Sequence, residues 1–347
     1  MPYEPEDYRD DPDHDAPVAP TIGHNSNTKA KSTKAKIRNL ISERRVIVRS
    51  IHLPFEPQID FVDALDEILC SAEALREAGL GQPATVLLGS SFSGKSSQTR
   101  IFVDKTNEEH NASQAYGNGG MCACYVKLDP DGTIGSLAGD ILTGLQVPKP
   151  MSLSAAKRWD RARNEIRKKR ISIIVFDEFQ RAGRRPTISP IIAAKILDIM
   201  DSGDCAVAFV GKQDAKSIFD GCPDLKNRFD SPVYIPPLRW DMDSQEFMEF
   251  AERFDQALVD ANITDHKSGF ADEDIAQLLL ESSNGLIGQF SRIVETAVIA
   301  ITREGRRAIT RRDLSNAVDD WSVANERIGK NPFNRKVPND SSFGGAG

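Results

Sequence analysis

The sequence has few cysteines and no long apolar run. Its five cysteines, an odd number, are scattered over 347 residues, which argues against a disulfide framework. The longest apolar segments, 171–176 and 205–211, are far shorter than the roughly 18 residues that a membrane-spanning helix needs. The first fifteen residues contain seven acidic side chains and no apolar stretch, unlike a secretory signal. We therefore expect a cytoplasmic protein without a membrane partner.

The composition is that of an ordinary globular protein, with 39% hydrophobic and 27% charged residues. The net charge of −7 disfavours nucleic-acid binding when it is taken alone, because phosphates attract lysine and arginine. The charges are unevenly distributed, however. Residues 29–49 contain eight basic side chains and one acidic one, and residues 157–170 form a second basic cluster. Each cluster is either a solvated surface or a set of phosphate contacts.

Short apolar segments alternate with helical patterns in the first two thirds of the chain. The predicted strands are 84–88, 121–128, 171–176, 205–211 and 233–235. Apolar residues at three- and four-residue steps predict helices at 61–75, 95–103, 134–145, 154–169 and 191–200. This alternation predicts an α/β fold whose parallel sheet is covered by helices on both faces.

After Leu238 the strand pattern ends and only helical patterns remain, which indicates a small helical second domain. Residues 1–35 have almost no bulky apolar side chain, so we expect them to be disordered. The predicted units are a disordered tail (1–35), an N-terminal extension with a helix (36–82), the α/β core (83–238), the helical domain (239–322) and a flexible C-terminal tail (323–347).

Residues 89–96 read GSSFSGKS and lie between a predicted strand and a predicted helix; we call them the phosphate loop. Gly89 and Gly94 permit a backbone that directs consecutive amides at phosphate oxygens. Lys95 is expected to reach the β- and γ-phosphates, and Ser96 to hold Mg²⁺. The candidate nucleotide-binding residues are Gly89, Ser90, Ser91, Phe92, Ser93, Gly94, Lys95, Ser96 and Ser97.

Residues 171–178 read ISIIVFDE, an apolar strand that ends in two acids. Asp177 would hold Mg²⁺, and Glu178 would accept a proton from the attacking water. The alternative is a core strand that leaves the sheet through two solvated acids. A GTPase would need an Asn-Lys-x-Asp guanine-binding motif after a later strand, and the sequence has none, so ATP is favoured over GTP.

Several segments together resemble AAA+ ATPases: the two motifs above, DEFQ, AVAFVGKQDA, LKNRF and NGLIGQFSRIV. Within these ATPases, residues 45–320 are most similar to the TniB/TnsC/MuB group of transposition proteins. The resemblance implies a P-loop NTPase core with a small C-terminal helical lid. It also implies that Arg228 is an arginine finger for a neighbouring subunit and that Arg292 is a sensor-2 arginine. Gln213 stands near the position where these ATPases often orient the hydrolytic water with Thr or Asn.

The resemblance further implies a slow, assembly-dependent ATPase that oligomerises on double-stranded DNA as a ring or filament. Such a protein selects a target site and passes it to a transposase, with a targeting protein as a further partner. Lys168, Arg184 and Arg185 are the candidate DNA contacts. Two alternatives stay open: a helicase- or initiator-loading ATPase, and a nucleotide-gated scaffold that does not contact DNA.

Overall fold

The computed structural model describes residues 25–113, 120–148 and 153–335, with side chains from residue 34 onward. Its sheet has five strands in the order β2-β3-β4-β1-β5, and all neighbouring strands are parallel. The strands are β1 (Ala84–Gly89), β2 (Ala123–Lys127), β3 (Ile173–Asp177), β4 (Ala206–Gly211) and β5 (Val233–Ile235). The predicted parallel sheet is confirmed, and each strand lies within its predicted segment or extends it by one residue.

The central strands are continuous apolar runs because both of their faces are covered. Every residue of β3 and β4 is buried. In the parallel register Asp177 pairs with Val210 on β4, and Leu88 on β1 pairs with Gly211. The carboxyl ends of β1, β3 and β4 therefore lie side by side at one edge of the sheet.

Helices cover both faces of the sheet and make a three-layer core. On one face of the sheet lies a cluster of buried apolar side chains that includes Phe61 and Phe102. On the opposite face lies another such cluster, which includes Trp159 and Ile196. The core helices are α2 (Glu56–Glu77), α3 (Lys95–Ser113), α4 (Ile134–Gly144), α5 (Ala155–Lys169), α6 (Ser189–Asp201), α7 (Lys216–Asp220) and α8 (Pro223–Lys226).

Four helices follow the last strand and form a second apolar cluster. They are α9 (Trp240–Asp260), α10 (Glu273–Ser282), α11 (Ile287–Arg303) and α12 (Arg311–Ala317). The ring of Phe290 lies at the centre of this cluster, edge-on to Phe247 and Phe254 with centroids 5.6 and 5.2 Å apart. In the described part of the chain, no single helix is long and apolar enough to cross a bilayer, and α10 and α11 meet that criterion only jointly, as a pair bent by 108°.

The first helix, α1 (Asn25–Ser50), corrects the expectation of disorder for residues 25–35. Its second half packs against α11, where Val48 is fully buried and Arg44 donates a hydrogen bond to Thr302 Oγ1 at 2.8 Å. Residues 1–24 lie outside the described residues.

The predicted flexible tail is also wrong in its first part, because residues 323–335 pack on the C-terminal helices. A π-helical turn, Val318–Val323, continues α12, and a 3-10 helix follows at Pro332–Asn334. Asn331 is buried and donates a hydrogen bond to the Ser315 carbonyl at 2.9 Å. We call α9–α12 with this segment, up to Arg335, the C-terminal helical region. Residues 336–347 lie outside the described residues.

Helix α12 begins with a capping box, in which the side chains of Thr310 and Asp313 each accept a hydrogen bond from the backbone nitrogen of the other residue. This capping box predicts a pH-dependent contribution to stability. Burial raises the pKa of Asp313, but hydrogen bonds from Arg306 and Thr310 outweigh burial and lower it to about 2. A carboxyl group whose pKa is lowered by folding stabilises the fold fully at pH values above its unfolded-state pKa of about 4. This stabilisation declines as the pH falls toward the folded-state pKa. Asp313→Asn should therefore reduce the free energy of unfolding by about 2 kcal/mol at pH 7 and by about half as much near pH 3.

Urea denaturation at both pH values measures this difference, with the exposed Asp320→Asn as the matched control. The control should change the free energy of unfolding by less than about 0.5 kcal/mol. An equal effect of Asp313→Asn at pH 7 and pH 3 would contradict the assignment.

Candidate nucleotide-binding site

The phosphate loop connects the end of β1 to the start of α3 as a tight turn. Two of its residues have left-handed backbone angles, Phe92 with φ 68° and Gly94 with φ 84°. A Cβ atom at position 94 would lie 2.4 Å from the side-chain nitrogen of Gln58. Glycine at 94 is therefore favoured by the backbone angle, and a larger residue would have to displace the Gln58 side chain.

Lys95 is the first residue of α3, and its side chain turns back over the loop. Its ammonium donates hydrogen bonds to the carbonyl oxygens of Gly89 and Ser90 at 2.9 and 2.8 Å. Burial lowers the pKa of Lys95, while the nearby carboxylates of Asp177 and Glu178 act in the opposite direction. The positive N-terminal end of the α3 dipole and the Lys95 ammonium both lie at the phosphate loop, and both favour binding of an anion there.

Asp177 ends β3 and is 1% exposed. One of its carboxylate oxygens accepts a hydrogen bond from the Glu178 backbone nitrogen at 2.8 Å, and the other accepts one from the Tyr125 hydroxyl. Burial, together with the Asp177 carboxylate, raises the pKa of Tyr125, so the phenol keeps its proton and remains a donor. The sequence reasoning missed Tyr125, because a strand pattern does not indicate which side chains meet across the sheet.

Glu178 follows β3 in a left-handed conformation, φ 61°, at the start of the 3-10 helix Phe179–Arg184. Its side chain is about 30% exposed, in contrast to the buried Asp177. The carboxylate accepts a hydrogen bond from Gln180 Nε2 at 2.7 Å and lies 3.4 Å from Arg181 Nε. Glu178 is thus oriented by its neighbours and remains accessible to water.

The loop and the two acids line one cavity of about 370 Å³. The structure therefore brings together the two motifs that the sequence analysis assigned to one site. The lining residues are Ser91, Phe92, Ser93, Gly94, Lys95, Ser96, Ser97, Asp177, Glu178, Gln180, Gly211 and Lys212. Gly89 and Ser90 approach this cavity through their carbonyl groups, which bind Lys95.

Gln213, the sequence-based candidate for orienting water, is exposed and does not line the cavity. Gln180 is there instead. Its side-chain oxygen accepts a hydrogen bond from the Lys212 backbone nitrogen at 3.0 Å, while its nitrogen donates to Glu178. A Cβ atom at Gly211 would lie 2.9 Å from this side chain, so glycine leaves room for it. The segment DEFQ contains the residue, but only the 3-10 turn brings it back to the end of β4.

The start of α11 lies directly on the phosphate loop. The Gly288 backbone nitrogen donates a hydrogen bond to the Phe92 carbonyl at 2.8 Å. Arg292 is one turn further along α11 and forms an ion pair with Glu295 at 2.7 Å, outside the residues that line the cavity. A nucleotide-sensing role for Arg292 remains a prediction, although its helix is anchored at the loop.

Arg228 follows α8 and lies far from the cavity of its own chain. Its carbonyl accepts a hydrogen bond from Ala84 at 2.9 Å, which places it at the amino end of β1, opposite the phosphate loop. Its guanidinium forms an ion pair with Asp201. This position excludes a direct role in the same chain, and a role in a neighbouring subunit remains a prediction.

The three candidate DNA contacts, Lys168, Arg184 and Arg185, are all exposed. Arg184 ends the 3-10 helix that begins directly after Glu178, and Arg185 follows it, whereas Lys168 lies near the end of α5. Contact with DNA remains a prediction for all three residues.

A smaller cavity of about 110 Å³ borders the other side of the phosphate loop. Apolar side chains dominate its lining, and Ser93 connects it to the loop. It is a candidate site for the base of a nucleotide whose phosphates lie on the loop. The sequence analysis missed it because its walls come from distant segments: Phe55, Pro57, Ile235, Pro236, Leu238, Leu286 and Ile287.

The family model for the bacterial TniB protein matches residues 53–240, more than half of the chain. The match covers the phosphate loop, the acidic pair and all five strands. This chain belongs to the TniB family. No curated protein sequence matches this TniB protein.

Solved structures of ORC and Cdc6 proteins share its fold. The ORC1 protein of Aeropyrum pernix, in complex with DNA, is 17% identical with a TM-score of 0.59, covering 80% of this chain and 69% of that one. The ORC2 protein of the same organism, with ADPNP and ADP, is 12% identical with a TM-score of 0.59, covering 79% and 70%. Cdc6p of Pyrobaculum aerophilum is 15% identical with a TM-score of 0.56, covering 79% and 70%. The TniB chain therefore has the AAA+ P-loop NTPase fold.

The geometry predicts that nucleotide binding depends on the buried Lys95. Lys95→Ala removes a cation that would face two phosphate groups, so the Kd for ATP should rise by about 100-fold or more. Equilibrium titration with a fluorescent ATP analogue measures this change. Lys216→Ala, which removes an exposed lysine of α7, is the control and should leave the Kd unchanged. Unaltered affinity in Lys95→Ala would contradict the phosphate-binding assignment.

Proposed function

We propose that this TniB protein is an ATP-dependent regulator of DNA transposition. It would act in the cytoplasm as a slow ATPase that assembles on double-stranded DNA. The observation that carries the proposal is the single cavity in which Lys95 and the phosphate loop face Asp177 and Glu178, in a chain of the TniB family. This arrangement has a phosphate-binding loop, a lysine and two carboxylates, all of which phosphoryl transfer from a nucleotide uses.

The residues of the cavity fit ATP with Mg²⁺. The glycine backbone and Lys95 offer donors to phosphate oxygens, and the small base cavity adjoins them. The Ser96 hydroxyl and a carboxylate oxygen of Asp177 are the hard oxygen ligands that Mg²⁺ prefers. Bound there, Mg²⁺ would neutralise charge that develops on the phosphates. Tyr125 would hold the Asp177 carboxylate in place for this task.

Glu178 is the proposed general base. Gln180 binds its carboxylate and also the backbone at the end of β4, so Gln180 would set the direction in which Glu178 faces water. Among the residues that the structure describes, none of those that line the cavity is an arginine. Phosphoryl transfer also needs a cation that offsets the charge developing on the γ-phosphate, and Arg228 of a neighbouring copy would supply it. Turnover would therefore stay slow until subunits assemble into a ring or filament.

The DNA-related part of the proposal is supported by the family and by exposed cations near the acidic pair. In this proposal ATP favours assembly on duplex DNA, the assembly marks a target site for a transposase and a targeting protein, and hydrolysis dismantles it. A helicase- or initiator-loading ATPase is the second candidate, because the fold is shared with ORC and Cdc6 proteins, one of them solved with DNA.

Glu178→Gln separates binding from turnover. Loss of the base should lower ATP turnover by about 100-fold or more, preserve ATP binding and lengthen the lifetime of the ATP-bound assembly. Phosphate release and light scattering measure these effects, with the exposed Glu273→Gln as the control. Unchanged turnover in Glu178→Gln would remove this residue from the base role.

Duplex binding should depend on the nucleotide and on salt. With a non-hydrolysable ATP analogue, affinity for duplex DNA of arbitrary sequence should fall by about tenfold or more between 50 and 200 mM salt, through counterion release. Fluorescence anisotropy measures it. The double substitution Arg184→Gln/Arg185→Gln should weaken binding, whereas the matched arginine pair of α12, Arg311→Gln/Arg312→Gln, should not. Preference for single strands would favour the loading ATPase, and no binding in any state would favour a scaffold.

A further inference from the structure

Phe92, in the middle of the phosphate loop, is held by the C-terminal helical region at three points. Its carbonyl accepts a hydrogen bond from the Gly288 backbone nitrogen at 2.8 Å. Its ring meets the Trp321 ring edge-on, with centroids 6.0 Å apart and planes at 81°. The guanidinium carbon of Arg327 lies 5.4 Å from the centroid of the same ring. Because Phe92 also lines the cavity, one residue touches both the candidate site and the C-terminal helical region.

The backbone conformation of Phe92 is unfavourable for a bulky side chain. At φ 68° its Cβ is crowded by the backbone, whereas Gly94, also left-handed, has no Cβ to be crowded. A residue stays in such a conformation only where its surroundings restrain it. An aromatic edge contact and a cation over the ring are both favourable interactions, so they provide restraint beyond the backbone hydrogen bond.

Trp321 and Arg327 are themselves fixed to the turn between α10 and α11. The Arg327 carbonyl accepts a hydrogen bond from the Asn284 side chain at 3.0 Å. The Arg327 backbone nitrogen donates a hydrogen bond to the Ser322 carbonyl at 2.8 Å. Ser322 is fully buried, and its hydroxyl donates to the Ser282 carbonyl at 3.0 Å. The two side chains that hold the Phe92 ring therefore belong to one hydrogen-bonded corner of the C-terminal helical region.

We propose that Trp321 and Arg327 are positioning residues for the nucleotide site. They keep Phe92 in its left-handed conformation and thereby shape the phosphate loop for a nucleoside polyphosphate. The inference rests on the proposed nucleotide binding and adds a function for the segment 318–328.

A double-substitution cycle on MgADP affinity tests the inference, measured by isothermal titration calorimetry on the full chain. Trp321→Ala should weaken MgADP binding about tenfold in the wild-type background. Combined with Phe92→Gly, it should weaken binding less than about twofold, because glycine adopts the left-handed conformation without an aromatic restraint. Trp321→Phe keeps an aromatic edge and should stay within about threefold of wild type.

Arg327→Gln is the second arm of the test. It should weaken MgADP binding about threefold in wild type and leave the affinity of Phe92→Gly unchanged. Arg303→Gln, which removes an exposed arginine at the end of α11, is the matched control and should have no effect in either background. If Trp321→Ala does not fold, Arg327→Gln provides the same comparison between backgrounds.

Two results would overturn the inference. Equal losses in the wild-type and Phe92→Gly backgrounds would show that Trp321 and Arg327 act on general stability, and unchanged affinity in the wild-type background would show that they do not act on the site. A wild-type protein that does not bind MgADP would instead refute nucleotide binding itself, and the inference with it. The wild-type titration thus distinguishes the two failures.

Discussion

The parallel pairing of β3, β4 and β1 is the constraint on which the candidate site depends. Lys95 and Asp177 are far apart in the chain, and they meet because these strands end at the same level of the sheet. A shift of β3 by one residue would move each of its side chains, Asp177 included, to the opposite face of the sheet. The packing that stabilises the sheet therefore also fixes the distance between the loop and the acids.

A second constraint is a group of ion pairs that joins the C-terminal helical region to α1. Buried Glu295 forms ion pairs with Arg292 and with Arg45 and Arg49 of α1. Burial raises the pKa of Glu295, but hydrogen bonds from Arg49 and Arg292 outweigh it, so the pKa is lowered and the carboxylate stays charged. If Arg292 turned toward a nucleotide, the arginines of α1 would still compensate this buried charge. Movement of Arg292 therefore does not leave an unpaired carboxylate, which would be costly.

Local patterns in the sequence determine the strands of the fold and the two motifs of the site. Apolar runs predict all five strands. The phosphate loop and the acids after β3 could also be predicted, because phosphate binding and water activation each need specific residues that are adjacent in the sequence. Contacts across the fold were not readable. Gln180 lines the cavity and Gln213 does not, because a 3-10 turn brings Gln180 back to the end of β4. Helix α1 was missed because its anchor is α11, at the other end of the sequence. The order of the strands also depends on such distant contacts.

The ion pairs also divide the basic residues into structural and available ones. Arg163 and Arg167 on α5 bind the largely buried Asp204 at 3.1 and 2.7 Å. Moving them to a DNA phosphate would leave that carboxylate unpaired, at a cost in stability. Lys168, beside them, is exposed, and contact with a phosphate would need no such exchange. The net charge of −7 is therefore a poor guide to DNA binding, because the relevant quantity is the number of exposed cations on one surface that are free to replace counterions.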